Sequence, residues 1–313
     1  MRVLVTGGAG FIGSHLVEGL VARGAEVVVV DDLSTGKLSN LRCVMDRISF
    51  VDGDIRDEHT VRDAMEGAEY VFHQAALPSV ARSLEDPVAS NDVNVCGTLN
   101  VLVAAREHGV KRVIYASSSS VYGDTPELPK DEAMPVNPLS PYATSKLAGE
   151  SYCIVFARVY GLSTVSLRYF NVYGPRQDPD SPYAAVIPIF VRNTRRSVPL
   201  TIFGDGEQTR DFTHVENAVQ ANIRAMQAPG VSGEVFNVAC GQRTSLNQIV
   251  DLLAVLAGRR PAVRHLADRP GDVRHSLASI RHAAERLSYR PDVQLEDGLR
   301  ALWDEDAGAG PAL

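Results

Sequence analysis

Apolar and polar positions along the chain fall into two alternating textures. Short runs rich in β-branched residues, RVLVTG (2–7), EVVVVDD (26–32), ISFVDGD (48–54), EYVFHQAA (69–76) and KRVIYASSS (111–119), predict strands. Between them FIGSHLVEGLVARG (11–24), DEHTVRDAMEG (57–67) and VASNDVNVCGTLNVLVAAREHG (88–109) carry apolar residues at helical spacing. Nearly all-apolar strands alternating with helices imply a parallel sheet covered on both faces, a doubly wound α/β domain over 1–174. From Tyr122 to Pro141 the chain holds five prolines and several acids, which predicts a loop leading into a helix that starts near Pro141 and runs to about Gly161. After STVSLRYFNVYG (163–174) come Pro- and Gly-containing loops, a short LTIFGDG run and helical patterns at 185–195, 245–257 and 279–288. These pieces predict a smaller mixed α/β lobe over 175–313, with a segment near 205–240 returning to the first domain. The terminal DEDAGAGPAL is expected to fray.

Composition narrows the function classes. The 313 residues are 45% apolar and 22% charged, enough for a sizeable core. A net charge of -7 argues against general binding to nucleic acid or an anionic membrane, so phosphate recognition has to be local. Cys43, Cys96, Cys153 and Cys240 form no CxxC pair, which signals neither a zinc site nor a redox motif, and no metal is expected. The N-terminus makes a poor signal peptide, and no apolar run reaches the roughly 18 residues that span a bilayer. A soluble, cytoplasmic protein is expected.

VTGGAGFIGSHL (5–16) places Gly7, Gly10 and Gly13 at the turn from first strand to first helix. Glycines there allow a tight turn and let the backbone approach a pyrophosphate, while the helix N-terminus offers free N–H groups to the anion. Asp31 closes the next strand, where an acid would bond an adenosine ribose. Asp31 and Asp32 together would repel a ribose phosphate, which favours NAD over NADP. A turn that serves packing alone is the competing reading.

SPYATSK (140–146) sets Tyr142 and Lys146 one helical turn apart. By spacing alone this is an exposed helix pair. A phenol with a pKa of about 10 is a poor base at neutral pH unless a cation favours the phenolate, and Lys146 could supply that field. Ser118, in SSSSVYG (117–123), ends a parallel strand, where ligands bind in such sheets.

TGGAGFIG, HQAA, SSSSVYG, SPYATSK and LRYFNVYGPR occur in an order similar to that of nucleotide-sugar epimerases and dehydratases, and the GxxGxxG spacing is that of extended short-chain dehydrogenases. Over nearly its whole length the chain resembles the UDP-hexose 4-epimerase family, closest in motifs to UDP-N-acetylglucosamine 4-epimerases. The resemblance implies bound NAD and a catalytic set of Ser118, Tyr142 and Lys146. It implies cofactor contacts from Gly7, Gly10, Phe11, Ile12, Gly13, Asp31, Asp32, Asp54, Ile55, Ala75, Ala76, Asn94, Tyr142, Lys146 and Phe170. For substrate it implies Ser79, Ser118, Asn171, Ala185, Val186, Phe203, Arg210, Arg269, Asp272 and Ser276. Of these, Arg210 and Arg269 would meet the pyrophosphate, Asp272 the uridine ribose and Phe203 the uracil.

The resemblance also implies a reaction. Tyr142 would take the O4 proton while C4 passes hydride to NAD; the 4-keto sugar would then turn over and regain hydride on its other face. Related 4,6-dehydratases and decarboxylases carry acids at the two positions before VYG, because elimination needs an extra acid or base. Here Ser119 and Ser120 stand there. UDP-glucuronate 4-epimerases carry an arginine in the loop after VYGP that holds the uronate. Asp178 aligns with it, although Arg176 is close by. Ser276 leaves room beside C2 for an N-acetyl group, or is an ordinary helix cap. The expected activity is interconversion of UDP-GlcNAc with UDP-GalNAc and of UDP-glucose with UDP-galactose; the alternatives are a UDP-glucuronate 4-epimerase and a catalytically idle NAD-binding regulator. Helices 88–109 and 142–160 are unusually apolar, and the resemblance implies that they pair with their copies in a homodimer, although burial within one subunit would look the same.

Overall fold

The computed structural model describes residues 1–180, 185–268 and 273–308. The first half runs β1 (Arg2–Thr6), α1 (Phe11–Ala22), β2 (Glu26–Asp31), β3 (Ile48–Asp52), α2 (Glu58–Ala64), β4 (Tyr70–His73), α3 (Val80–Glu85), α4 (Pro87–Asn91), α5 (Gly97–Glu107), β5 (Arg112–Ser118) and α6 (Pro141–Tyr160). A π-helical turn over Asp92–Cys96 joins α4 to α5, so the stretch expected as one helix is continuous but locally widened. The second half runs β6 (Thr164–Tyr169), β7 (Val172–Tyr173), α7 (Val186–Arg195), β8 (Leu200–Phe203), β9 (Thr209–Arg210), β10 (Thr213–His214), α8 (Val215–Gln227), β11 (Glu234–Val238), β12 (Thr244–Ser245), α9 (Leu246–Ala257), β13 (Val263–Leu266), α10 (Arg281–Leu287) and α11 (Leu295–Gly308).

Seven strands form one parallel sheet in the order β11-β6-β5-β4-β1-β2-β3. The period of two along each strand sorts its side chains between the faces. Val3, Val5, Val27 and Val29 pack with α1 and α8 on one side. Leu4, Val28 and Val30 pack with α2, α5 and α6 on the other. Covering both faces explains why the strands read as unbroken apolar runs. Two-stranded pairings, β13 with β8 and β12 with β9, build the lobe around a core that includes Phe190, Ile202, Ile249 and Leu299.

Three details depart from the sequence reading. α8 and α11 have no counterpart in it. Of the terminal stretch read from 304 onward, residues 304–308 belong to α11 and residues 309–313 lie outside the described residues. Ala283, Leu287 and Tyr289, expected in the lobe, pack in the cluster under β11 and α8. No helix among the described residues is long and apolar enough to cross a membrane, and no cluster among them could hold a metal ion.

Candidate active site

Ser140 starts α6 by accepting the Ala143 N–H at 3.1 Å, and Pro141 follows in the first turn, where its missing N–H costs nothing. The helix thus delivers Tyr142 and Lys146 to the C-terminal end of β5. Lys146 is buried; its ammonium donates to the Ala116 carbonyl at 2.9 Å and lies 6.0 Å from the centre of the Tyr142 ring. Ser118 Oγ accepts from the Ser120 N–H at 3.2 Å and the Ser120 hydroxyl at 2.9 Å, and the Ser118 hydroxyl is close enough to the Tyr142 phenol to favour its phenolate.

Desolvation works against charge on both partners. Burial pushes Lys146 down to about 8. It pushes Tyr142 up, and the Ser118 hydrogen bond pulls the other way. His73, behind them, is pinned between Thr6 (2.7 Å) and Thr98 (2.9 Å); burial, then Lys146, takes its pKa down to about 3. It is a neutral pin in the core, not an acid or base.

A cleft over the sheet's C-terminal edge is lined by Gly7, Gly10, Phe11, Ile12, Gly13, Asp31, Asp32, Asp54, Ile55, Ala75, Ala76, Tyr142 and Lys146. A Cβ at Gly13 would stand 2.0 Å from the Gly7 carbonyl oxygen, so only glycine closes this turn. Asp31 holds the turn in place, Oδ2 accepting from Ala9 N–H at 2.8 Å and Oδ1 from Leu33 N–H at 2.9 Å; burial raises its pKa and these bonds lower it. A glycine cradle at a helix N-terminus with an acid ending the next strand fits NAD. The Asp54 carboxylate is paired with Arg56, which lowers its pKa.

Two expected cofactor residues lie off this cleft. Asn94 is buried behind it, accepting the Leu77 N–H at 2.8 Å and donating to Ser145 at 3.0 Å. Phe170 lines an adjoining pocket with Ser119, Ser120, Asn171, Arg210 and Ser276. No Asp or Glu is among the described residues lining that pocket. A third, largely apolar pocket of about 480 Å³ shares Asn171 and Arg210 and adds Ala185, Val186 and Phe203. Arg210 donates to the carbonyls of Thr209 (2.9 Å) and Arg274 (3.2 Å). Its neighbour Asp211 is buried and accepts the N–H groups of Cys240, Gly241 and Ala278.

Ser79 caps α3 between two lining residues, accepting the Arg82 N–H at 3.1 Å. Arg269 and Asp272 lie outside the described residues. Asp178 pairs with Lys37 at 2.7 Å, while Arg176 pairs with Glu18 and donates to the Asn40 carbonyl at 3.0 Å; neither lines a pocket described above. Lining residues absent from the expectation include Gln74, Ser117, Tyr169, Lys130 and Leu139. Ser117 and Tyr169 sit inside motifs quoted above, whereas Lys130 carried no local signal.

Residues 3–239 match the model of the NAD dependent epimerase/dehydratase family. The chain is 42% identical over 303 residues to a UDP-glucose 4-epimerase of Mycolicibacterium smegmatis, covering 96% of each. It is similar to a solved UDP-glucose 4-epimerase of Thermotoga maritima with UDP-glucose (TM-score 0.94, 40% identity, 99% of each chain). It is also similar to a UDP-N-acetylglucosamine 4-epimerase of Methanobrevibacter ruminantium in complex with UDP-N-acetylmuramic acid (TM-score 0.93, 39% identity, 98% of each chain).

Proposed function

The chain belongs to the NAD dependent epimerase/dehydratase family, and on that premise we propose that it is a 4-epimerase of UDP-sugars, interconverting UDP-GlcNAc with UDP-GalNAc and accepting the UDP-glucose pair as well. The observation that carries this reading is the middle pocket, which adjoins the Ser118–Tyr142–Lys146 set and has Ser119 and Ser120 where elimination would need an acid. Bound NAD supplies reversible hydride acceptance at C4. Tyr142 removes the O4 proton and returns it, with Ser118 orienting O4 and Lys146 favouring the phenolate. The apolar pocket with Phe203 and Arg210 would hold the nucleotide while the sugar turns over.

Ser276 in the middle pocket supports the N-acetyl substrate, since a small side chain there leaves space that an aromatic would fill. Asp178 and Arg176 are both engaged by the first domain, which leaves a C6 carboxylate no cation from their loop and ranks the uronate reading second. An intact Tyr142–Lys146 pair counts against an idle regulator. Val88, Val155 and Val159 are 67%, 45% and 67% exposed, which supports a homodimer through helices 88–109 and 142–160, to be checked by sedimentation.

The test is incubation of pure protein with UDP-GlcNAc, UDP-glucose and UDP-glucuronate and separation of the products. GalNAc and galactose products are expected. If neither forms the reading is wrong, and turnover of glucuronate alone would establish the uronate alternative. Ser276→Trp should suppress UDP-GlcNAc turnover and spare UDP-glucose.

A further inference from the structure

Glu150 stands on α6 one turn beyond Lys146 and two beyond Tyr142, and nothing in the chemistry above uses it. Its carboxylate is buried with the guanidinium of Arg168 on β6, the two side chains being 3% and 4% exposed. Oε1 accepts from Arg168 Nη2 at 2.6 Å; Oε2 accepts from Arg168 Nε at 3.0 Å and from the Ser117 hydroxyl at 2.9 Å. One carboxylate therefore ties α6 to both β5 and β6. Gly149 makes this approach possible, because a Cβ there would lie 2.2 Å from the Tyr115 hydroxyl oxygen.

Two consecutive residues of β5 then each hold α6, the Ala116 carbonyl taking Lys146 and the Ser117 hydroxyl bonding Glu150, and the next residue, Ser118, faces Tyr142. A buried ion pair contributes little net stability compared with an apolar pair of the same volume. An apolar pair could not, however, bond Ser117 or fix the height of α6 above the strand end. Displacing reacting groups by about 1 Å costs on the order of a hundredfold in rate.

We propose that Glu150, oriented by Arg168, is a positioning residue for proton transfer: by bonding Ser117 it sets the separation between Ser118 and Tyr142. It acts through Ser117 and touches neither sugar nor cofactor. The inference rests on the 4-epimerase reading for its turnover readout, and a second readout needs no sugar.

Ser117→Ala removes one hydroxyl from NAD-loaded enzyme and leaves the ion pair intact. Because changing Glu150 alone would strand the buried Arg168, its partner variant is Glu150→Leu/Arg168→Met, which removes both charges and the acceptor of the Ser117 hydroxyl. Both variants should keep the wild-type Tm and NAD content and a KM within about twofold, while kcat falls between about tenfold and a hundredfold. The Tyr142 phenolate, followed by ultraviolet difference against the matching Tyr142→Phe protein without sugar, should titrate at higher pH in Ser117→Ala, because α6 is freer to carry the phenol away from Ser118. A kcat within twofold of wild type, or kcat, KM, Tm and NAD content all falling together, would overturn the proposal. So would an unmoved Tyr142 titration. If the wild type turns over no UDP-sugar, the 4-epimerase reading alone fails and the titration decides this one.

Discussion

Lys146→Met should make the protein more stable at neutral pH while destroying its activity. The lysine is 4% exposed, and burial lowers its pKa from the ordinary 10.5 to about 8. At about 1.4 kcal/mol per pH unit, that drop corresponds to an unfavourable contribution on the order of 3 kcal/mol when the side chain is charged. The loss of its bond to the Ala116 carbonyl returns about 1–3 kcal/mol, so the net gain in the variant is about 0–2 kcal/mol at pH 7. The pH dependence is the sharper readout. Below pH 8 lysine is charged in both folded and unfolded chains and the full cost is present. Between about 8 and 10.5 the folded chain has released a proton that the unfolded chain still binds, so stability from this group rises with pH. Urea unfolding of nucleotide-free wild type and Lys146→Met at intervals from pH 7 to 10.5 measures the difference. The wild type should gain on the variant by up to about 3 kcal/mol across that window. A gap that stays constant with pH, or a variant several kcal/mol less stable at pH 7, would refute the claim that desolvation dominates at Lys146.

Other outcomes follow from the same geometry. Tyr142→Phe removes only a hydroxyl, so the fold and NAD content should persist while kcat falls by about 10²–10⁴-fold in a coupled epimerisation assay. Gly13→Ala places a methyl 2.0 Å from the Gly7 carbonyl oxygen, so the turn must open. Calorimetric titration should show NAD binding weakened at least tenfold, and unchanged affinity would mean that the turn is not the cradle.

The Gly-rich turn, the first five strands and the Tyr142 helix were legible in the chain because local rules produce them: period two in buried strands, a proline in the first helical turn, and glycine where backbone closes on backbone. α8 carries an apolar stripe at helical spacing; what the chain alone does not show is that its buried face also takes in Asn217 and Asn222. Both are satisfied by distant groups, Asn217 by the backbone at Asp292 and Val293, Asn222 by Gln74 and Tyr169. A residue whose partner lies so far along the chain carries no periodic signature.

The same division runs through the site. Sequence alone determined the fold class, the glycine turn between β1 and α1 and the Tyr142–Lys146 spacing, because each is set by local periodicity, covalent geometry or one helical turn. Tertiary structure decided that the middle pocket lacks a carboxylate among its described residues, that Asp178 and Arg176 are engaged by the first domain, and that Ser117, Glu150 and Arg168 share one buried network. Those facts depend on which side chains the parallel crossovers bring together and on the desolvation they meet there, and neither quantity is local to any stretch of the chain.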